Sequence, residues 1–276
     1  FGRHVMVEAD TGDRIICHPR GKKNTAVVGD RIKWLATQDE GTIEKLEPRK
    51  NLFYRQDEIR TKSFAANLDR VLILIAADPE YSESQLSRAL VAAEAERITP
   101  IIALNKSDLA QPFAQAWERL APYRAMGYQM LSLAIKPKAQ DDPEQTTVQS
   151  LMPLMLGKKT LVLGPSGAGK SSLTNLLVPH AHVLTAEISQ ALNSGKHTTT
   201  STTLYWIDAG RSTALIDSPG FQEFGLHHIE PMHLAGYMPD LKAHAQHCKF
   251  YNCTHLHEPG CGVIAELNRS DSASSI

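Results

Sequence analysis

No stretch of this 276-residue chain is long and apolar enough to cross a bilayer as a helix, which takes about 18–20 residues. Its longest apolar run, "VLILIAA" at 71–77, has the length of a buried strand. A signal peptide is lacking too, and the first residue is Phe1 rather than Met, so an N-terminal segment is expected to be missing. Excess charge of one sign is small: 29 Lys+Arg stand against 30 Asp+Glu. Residues 1–62 hold 13 basic against 10 acidic side chains and the remainder 16 against 20, too slight an asymmetry to imply nucleic acid alone. Cysteine is scarce, at four residues, and three of them (Cys248, Cys253 and Cys261) fall within fourteen positions. That clustering argues against a disulfide framework and for a metal site in a reducing cytoplasm. Internal repeats are absent.

What is present changes rhythm along the chain. Residues 1–58 alternate apolar and polar positions in short runs such as "HVMVEA" and "DRIICH", punctuated by Gly12, Gly21, Gly29 and Gly41. The pattern predicts five or so strands and a small barrel of the OB or SH3 kind. Arg20, Lys22 and Lys23 fall in a loop, and Arg49, Lys50, Arg55, Arg60 and Lys62 follow the last strands. They form either a solvated rim or a nucleic-acid contact. Phe53 and Tyr54 could stack bases or pack a core. From residue 68, strands at 69–77, "TPIIALN" and "YQMLSLA" alternate with helices at 84–97, 111–126 and 144–156. "KKTLVLG" and "KSSLTNLLV" continue the alternation, and two adjacent strands, "TLYWID" and "STALID", follow. Such alternation predicts an α/β fold with a parallel sheet covered on both faces.

Four short motifs end predicted strands of that sheet. "GPSGAGKSS" (Gly164, Pro165, Ser166, Gly167, Ala168, Gly169, Lys170, Ser171, Ser172) fits G-x-x-x-x-G-K-[ST] between a strand and a helix. Its glycines let backbone N–H groups cradle phosphates, Lys170 reaches the β- and γ-phosphates, and the Ser171 hydroxyl suits Mg²⁺. "DSPG" places Asp217 at a strand end to hold Mg²⁺ through water and Gly220 where its amide can sense a γ-phosphate. "NKSD" offers the Asp108 carboxylate to guanine N1–H and N2–H₂, with Asn105 bracing, the Lys106 stem covering the base and Ser107 between. "SLA", Ser132 to Ala134, could present a backbone N–H to guanine O6. A nucleotide kinase could share the phosphate loop, but not the other three. Open α/β sheets bind ligands along one edge. In this chain the guanine motifs precede the phosphate loop, the reverse of the usual GTPase order, which indicates a circular permutation.

"CKFYNCTHLHEPGC" brings three thiolates together with an imidazole from His255 or from neighbouring His244, His247 or His257. Three sulfurs and one nitrogen suit a closed, tetrahedral, structural Zn²⁺ site. Cys17 stands alone and reads as a core residue.

Taken together, the motif order, the preceding barrel and the cysteine cluster resemble the ribosome small-subunit-dependent GTPase A family. The resemblance implies a circularly permuted P-loop GTPase domain at 63–230, an N-terminal OB-type β-barrel at 1–62 that binds RNA, and a truncated C-terminal zinc-binding domain at 231–276. It selects His255 as the fourth zinc ligand. It also makes "GKHTTT" (195–200) switch I, where Thr199, Thr200 or Thr198 binds Mg²⁺. Implied partners are GTP and GDP, the 30S subunit and 16S rRNA, with no membrane, in a monomeric cytoplasmic protein. The implied activity is GTP hydrolysis as a late assembly factor, stimulated by the subunit and coupled to release.

Hydrolysis needs an oriented water, and the position after Gly220 that often carries Gln carries Phe221. A phenyl ring neither donates nor accepts a proton. His197 is the candidate for that task, since imidazole can orient water near neutral pH. With no Arg placed as a finger, slow intrinsic turnover is expected. Two other readings are a P-loop nucleotide kinase and a nucleotide-gated RNA-binding scaffold with negligible catalysis.

Overall fold

The computed structural model describes residues 4–20, 25–37, 40–136, 143–181 and 201–273. Near the N-terminus, strands β1 (Val5–Glu8), β2 (Arg14–Pro19), β3 (Ile32–Ala36) and β4 (Gly41–Leu46) form one sheet in the order β1-β2-β4-β3. The β2–β4 pair is parallel and the others are antiparallel. Val7, Cys17 and Ile43 make a small core there, closed by Val5, Ile15, Ile32, Trp34 and Leu46. Cys17 is fully buried, as a core thiol should be.

The next strand leaves that sheet. β5 (Leu52–Gln56) pairs antiparallel with β6 (Thr61–Ala66) as a separate hairpin. Its Phe53 and Phe64 are buried in the main core instead of the small one. Two phenyl rings on one hairpin bury far more apolar area against a large core than a three-residue cluster can accept. β6 therefore runs through position 62/63 without a break.

The main sheet contains β7 (Arg70–Ala76), β8 (Thr99–Asn105), β9 (Gln129–Ser132), β10 (Lys159–Leu163), β11 (Thr203–Trp206) and β12 (Ala214–Asp217). Their order is β11-β12-β10-β7-β8-β9, parallel throughout except for β11, which runs against β12. Successive residues of a strand face opposite ways. On β7, Ile73 and Ile75 join one core layer with Phe53, Leu86, Ile102 and Phe224, whereas Leu72 and Leu74 join the other with Ile101, Leu151, Leu173 and Leu215. This two-sided burial explains why the central strands read as unbroken apolar runs.

Helices α1 (Glu83–Ala95), α2 (Ala110–Arg119), α3 (Ala121–Ala125), α4 (Pro143–Met155) and α5 (Lys170–Leu177) connect the strands. Ser82 caps α1 by accepting from the Gln85 N–H, and Leu86, Ala89, Leu90 and Ala93 form its buried face. The single helix predicted over 111–126 divides at Leu120, because Pro122 starts a new helix and supplies no N–H to continue the old one. Beyond the sheet lie a 3₁₀ turn over Pro231–Tyr237, α6 (Pro239–Ala245) and α7 (Gly262–Ala273). Their small core is made of Cys253, Cys261 and Val263. No helix among the described residues is long and apolar enough to cross a membrane.

Candidate functional site

All four sequence motifs emerge at the C-terminal ends of parallel strands β12, β10, β8 and β9, with β7 between β10 and β8. The phosphate loop joins β10 to α5. Gly169 has φ +104°, and a Cβ there would stand 2.5 Å from the Asn105 side-chain nitrogen. Only glycine meets both demands. The Lys170 ammonium is buried and donates to the carbonyls of Gly164 (2.9 Å) and Pro165 (2.7 Å). Burial lowers its pKa to about 8, against the opposing pull of the Asp217 carboxylate. Ser171 and Ser172, half-buried, begin the helix behind it, while Ser166 and Gly167 are exposed at the loop's crest. The arrangement points backbone N–H groups, a helix N-terminus and one ammonium towards a single place, which suits a polyphosphate.

Asp217 closes β12 and is 1% exposed, in register with Val162 on β10 and Thr203 on β11. The next residue anchors it: buried Ser218 donates from Oγ to the Val162 carbonyl at 2.7 Å. A Cβ on Gly220 would lie 3.2 Å from both Lys170 Nζ and the Ser166 nitrogen, so the D-x-x-G segment rests directly on the phosphate loop. Asp217 and Ser171 together supply hard oxygen donors of the kind that hold Mg²⁺ beside phosphates, where the ion neutralises developing charge.

The guanine-side loop is fixed by Asn105. Its buried side chain donates to the Ala168 carbonyl of the phosphate loop at 3.0 Å and accepts from the Ile135 N–H at 3.1 Å. One amide thus joins three motifs. The Ser107 N–H donates to the Leu133 carbonyl at 3.0 Å, and Lys106 adopts φ +69° to turn the loop outward. Asp108 is exposed, which leaves its carboxylate open to a ligand. Of the amides expected to face guanine O6, Leu133 is committed to the Leu104 carbonyl at 2.9 Å. Ala134 is held only at 3.4 Å by Thr147 Oγ1, which leaves it the freest donor for a ligand. Ser132 is exposed at the strand end. Thr147 and Ser218 were not legible as site residues; each sits in an ordinary helical or loop context and acts only through strands distant in sequence. His197, Thr198, Thr199 and Thr200 lie outside the described residues.

Phe221 occupies the slot expected for a water-orienting Gln. It is buried, edge-on to Phe224 at 5.5 Å, and Phe224 in turn lies 5.8 Å from Phe53 and 6.1 Å from Phe64 in the β5–β6 hairpin. Gln222 beside it is exposed. The residue that cannot handle a proton instead locks this segment to the hairpin.

The cysteine cluster is a second centre. Cys248, Cys253, His255 and Cys261 offer ligand atoms all within 4.8 Å of one another. Cys248 Sγ lies 3.5 Å from His255 Nδ1 and 3.9 Å from Cys261 Sγ, and His255 Nδ1 lies 3.4 Å from Cys261 Sγ. His255 reaches this position from φ +62°. Of the four histidines open in the sequence, it is the one in the cluster. Backbone N–H groups of Gly262 and Ile264 donate to Cys248 (3.3 Å) and Cys261 (3.4 Å). Although burial raises the Cys261 thiol, the Ile264 N–H and the imidazole bring it down to about 7. Three sulfurs and one imidazole nitrogen in this geometry can bind a metal ion.

Comparison with known proteins places the chain. The family model described as RsgA GTPase matches residues 46–227. A small ribosomal subunit biogenesis GTPase RsgA of Variovorax paradoxus (strain S110) is 72% identical over 267 residues, covering 97% of this chain and 82% of that protein. The chain belongs to the RsgA GTPase family. A Burkholderia pseudomallei (strain K96243) member of the same name is 50% identical over 268 residues, 96% of this chain and 83% of its own. Among solved structures, YloQ, described as a circularly permuted GTPase, aligns with TM-score 0.66 and 28% identity over 98% of this chain and 86% of its own. YjeQ from Thermotoga maritima aligns with TM-score 0.68 and 28% identity, covering 97% and 88%. The family assignment makes the protein a GTPase with a permuted sheet, and it sets the kinase reading aside. The matched region starts before the β5–β6 hairpin and ends at residue 227, where the segment leaving Phe221 meets that hairpin.

Proposed function

We propose that this GTPase acts on the small ribosomal subunit as a late assembly or maturation factor, hydrolysing GTP when the subunit is bound and leaving as GDP forms. The observation that carries the reading is the 72% identity to a small ribosomal subunit biogenesis GTPase over 97% of the chain. The Asn105-centred union of phosphate and guanine loops supports it. Lys170 and the backbone N–H groups of the Gly164–Ser172 loop, Pro165 excepted, would hold the phosphates. Asp108, with Asn105, Lys106, Ser107, Ser132 and Ala134 around it, would select guanine. Ser171, Asp217 and a switch I threonine (Thr199 or Thr200) would hold Mg²⁺, and His197 would orient the attacking water in place of Phe221.

We assign the Cys248, Cys253, His255 and Cys261 site to zinc. Four ligands around an ion with Zn–S bonds near 2.3 Å bring sulfurs to about 3.8 Å of each other, and Cys248 and Cys261 stand at 3.9 Å. The functional division is a barrel over 1–62 and a zinc domain over 231–276, both gripping 16S rRNA, around a GTPase domain over 63–230. The protein works as a cytoplasmic monomer. Sedimentation with purified small subunits tests this: co-sedimentation with a non-hydrolysable GTP analogue, weakened at least tenfold by GDP, is expected. Equal sedimentation in both nucleotide states, or none in either, would refute it.

A further inference from the structure

The loop that carries the imidazole of the cysteine cluster has no main-chain support of its own. Among the described residues, no backbone carbonyl accepts from the N–H groups of Thr254, His255, Leu256 or His257. Packing does not hold the loop either, since Leu256 is 77% exposed. Yet His255 stands at φ +62°, a left-handed conformation that a residue with a Cβ adopts only at a cost.

The group that fixes the loop is Glu258. Its Oε1 accepts from the Thr254 N–H at 2.8 Å and from the Thr254 hydroxyl. Its Oε2 accepts from the N–H groups of Leu256 (3.1 Å) and His257 (3.2 Å). One oxygen therefore holds the chain before His255, and the other holds the chain after it. The remaining N–H, that of His255, donates to the Cys253 sulfur. These bonds, the Thr254 hydroxyl's first, hold the Glu258 carboxyl well below the usual carboxylate range, so both oxygens act as acceptors. Turned this way, His255 Nδ1 lies 3.5 Å from Cys248 Sγ and 3.4 Å from Cys261 Sγ. Glu258 is not itself one of the clustered ligands. Cys248, Cys253 and His255 also line a cavity of about 460 Å³, shared with Met232, Tyr237 and Tyr251. An imidazole that left its place would be replaced by water from that side.

We propose that Glu258 is a positioning residue for the metal centre: by gathering N–H groups on both sides of His255, its carboxylate holds the imidazole against the three sulfurs as the fourth ligand. The inference rests on the assignment of Cys248, Cys253, His255 and Cys261 to zinc. Groups that orient a metal ligand without touching the ion contribute about 10–100-fold in metal affinity.

The test uses the full chain as wild type, E258A, H255A and E258A/H255A, with Zn²⁺ affinity read by competition against a chromophoric chelator. E258A is expected to weaken Zn²⁺ binding about 10–100-fold in the wild-type background. In the H255A background the same change is expected to cost less than about twofold, because a residue acting only through the imidazole has nothing left to hold. Co²⁺ loaded into the same proteins reports the ligands. E258A and H255A are expected to share one visible spectrum, shifted to lower energy than wild type as water replaces nitrogen, with the sulfur-to-cobalt band undiminished. An equal loss of affinity in both backgrounds, or a weakened sulfur band in E258A, would show that Glu258 supports the lobe as a whole and would overturn the inference. E258A that binds like wild type overturns it too and leaves the zinc assignment standing. Wild type that binds neither ion overturns both.

Discussion

At the residue scale, three side chains decide what the site does. Asp108 is exposed and the role we propose for it is base choice alone, so Asp108→Ala should weaken GTP binding about 10²-fold. That matches the removal of two charge-assisted hydrogen bonds. ATP binding and the melting temperature should not move; titration of both nucleotides by fluorescence checks this. Lys170 carries a pH signature. Its folded pKa of about 8 lies below the ordinary value of 10.5. The free site therefore sheds a proton above pH 8 that bound phosphates retain, so GTP binding takes up a proton and weakens as pH rises from 7 to 9. The sign for folding is opposite: between the folded pKa and 10.5 the unfolded chain binds more protons, so the free fold gains stability in that window. Calorimetry in buffers of different ionisation enthalpy reads the proton directly. Phe221 is the third. Installing the Gln that many GTPases carry should not restore catalysis; Phe221→Gln should cost about 3–5 kcal/mol, as removal of a buried phenyl ring does. Denaturant unfolding would show it.

At the element scale, the strand–loop junctions were legible and the aromatic and hairpin contacts were not. Asp217, Asn105 and the phosphate loop follow unbroken apolar runs, and in a parallel sheet such runs all end at one edge, so local pattern alone placed them together. The hairpin carried no such signal. Phe53 and Tyr54 read equally as base-stackers or core, because the rings they meet, Phe224 for Phe53 and His228 for Tyr54, lie far along the chain. The same distance hid Thr147 and Ser218. The cysteine cluster was legible in ligand type, whereas its histidine needed the fold, since spacing left four imidazoles in reach. That cluster also makes a local prediction. Among the described residues, the fully buried core of its lobe is Cys253, Cys261 and Val263, so a chelator, or Cys253→Ser, should unfold α6 and α7 while leaving nucleotide binding by the main sheet intact. Limited proteolysis with and without chelator, followed by GTP titration, distinguishes this from global unfolding.

At the scale of the whole molecule, permutation changes what the nucleotide can pull on. The segment after Asp217 leads through the hairpin contact at Gln56 straight into the lobe that holds the cysteine cluster. β11, adjoining Asp217, carries Trp206, whose indole N–H donates to Glu8 of the barrel sheet at 2.5 Å. Both the barrel sheet and the C-terminal lobe are therefore tied to strands flanking the place we propose for the γ-phosphate, and departure of that phosphate should shift them together. Superimposable structures with GTP analogue and with GDP, on and off the subunit, would contradict this. The most direct measurement is turnover of GTP and of ATP with and without purified small ribosomal subunits. The account predicts slow hydrolysis of GTP alone, rising at least tenfold with the subunit, and none of ATP. Fast GTP turnover unaided by the subunit, or a rate the subunit does not change, would contradict it.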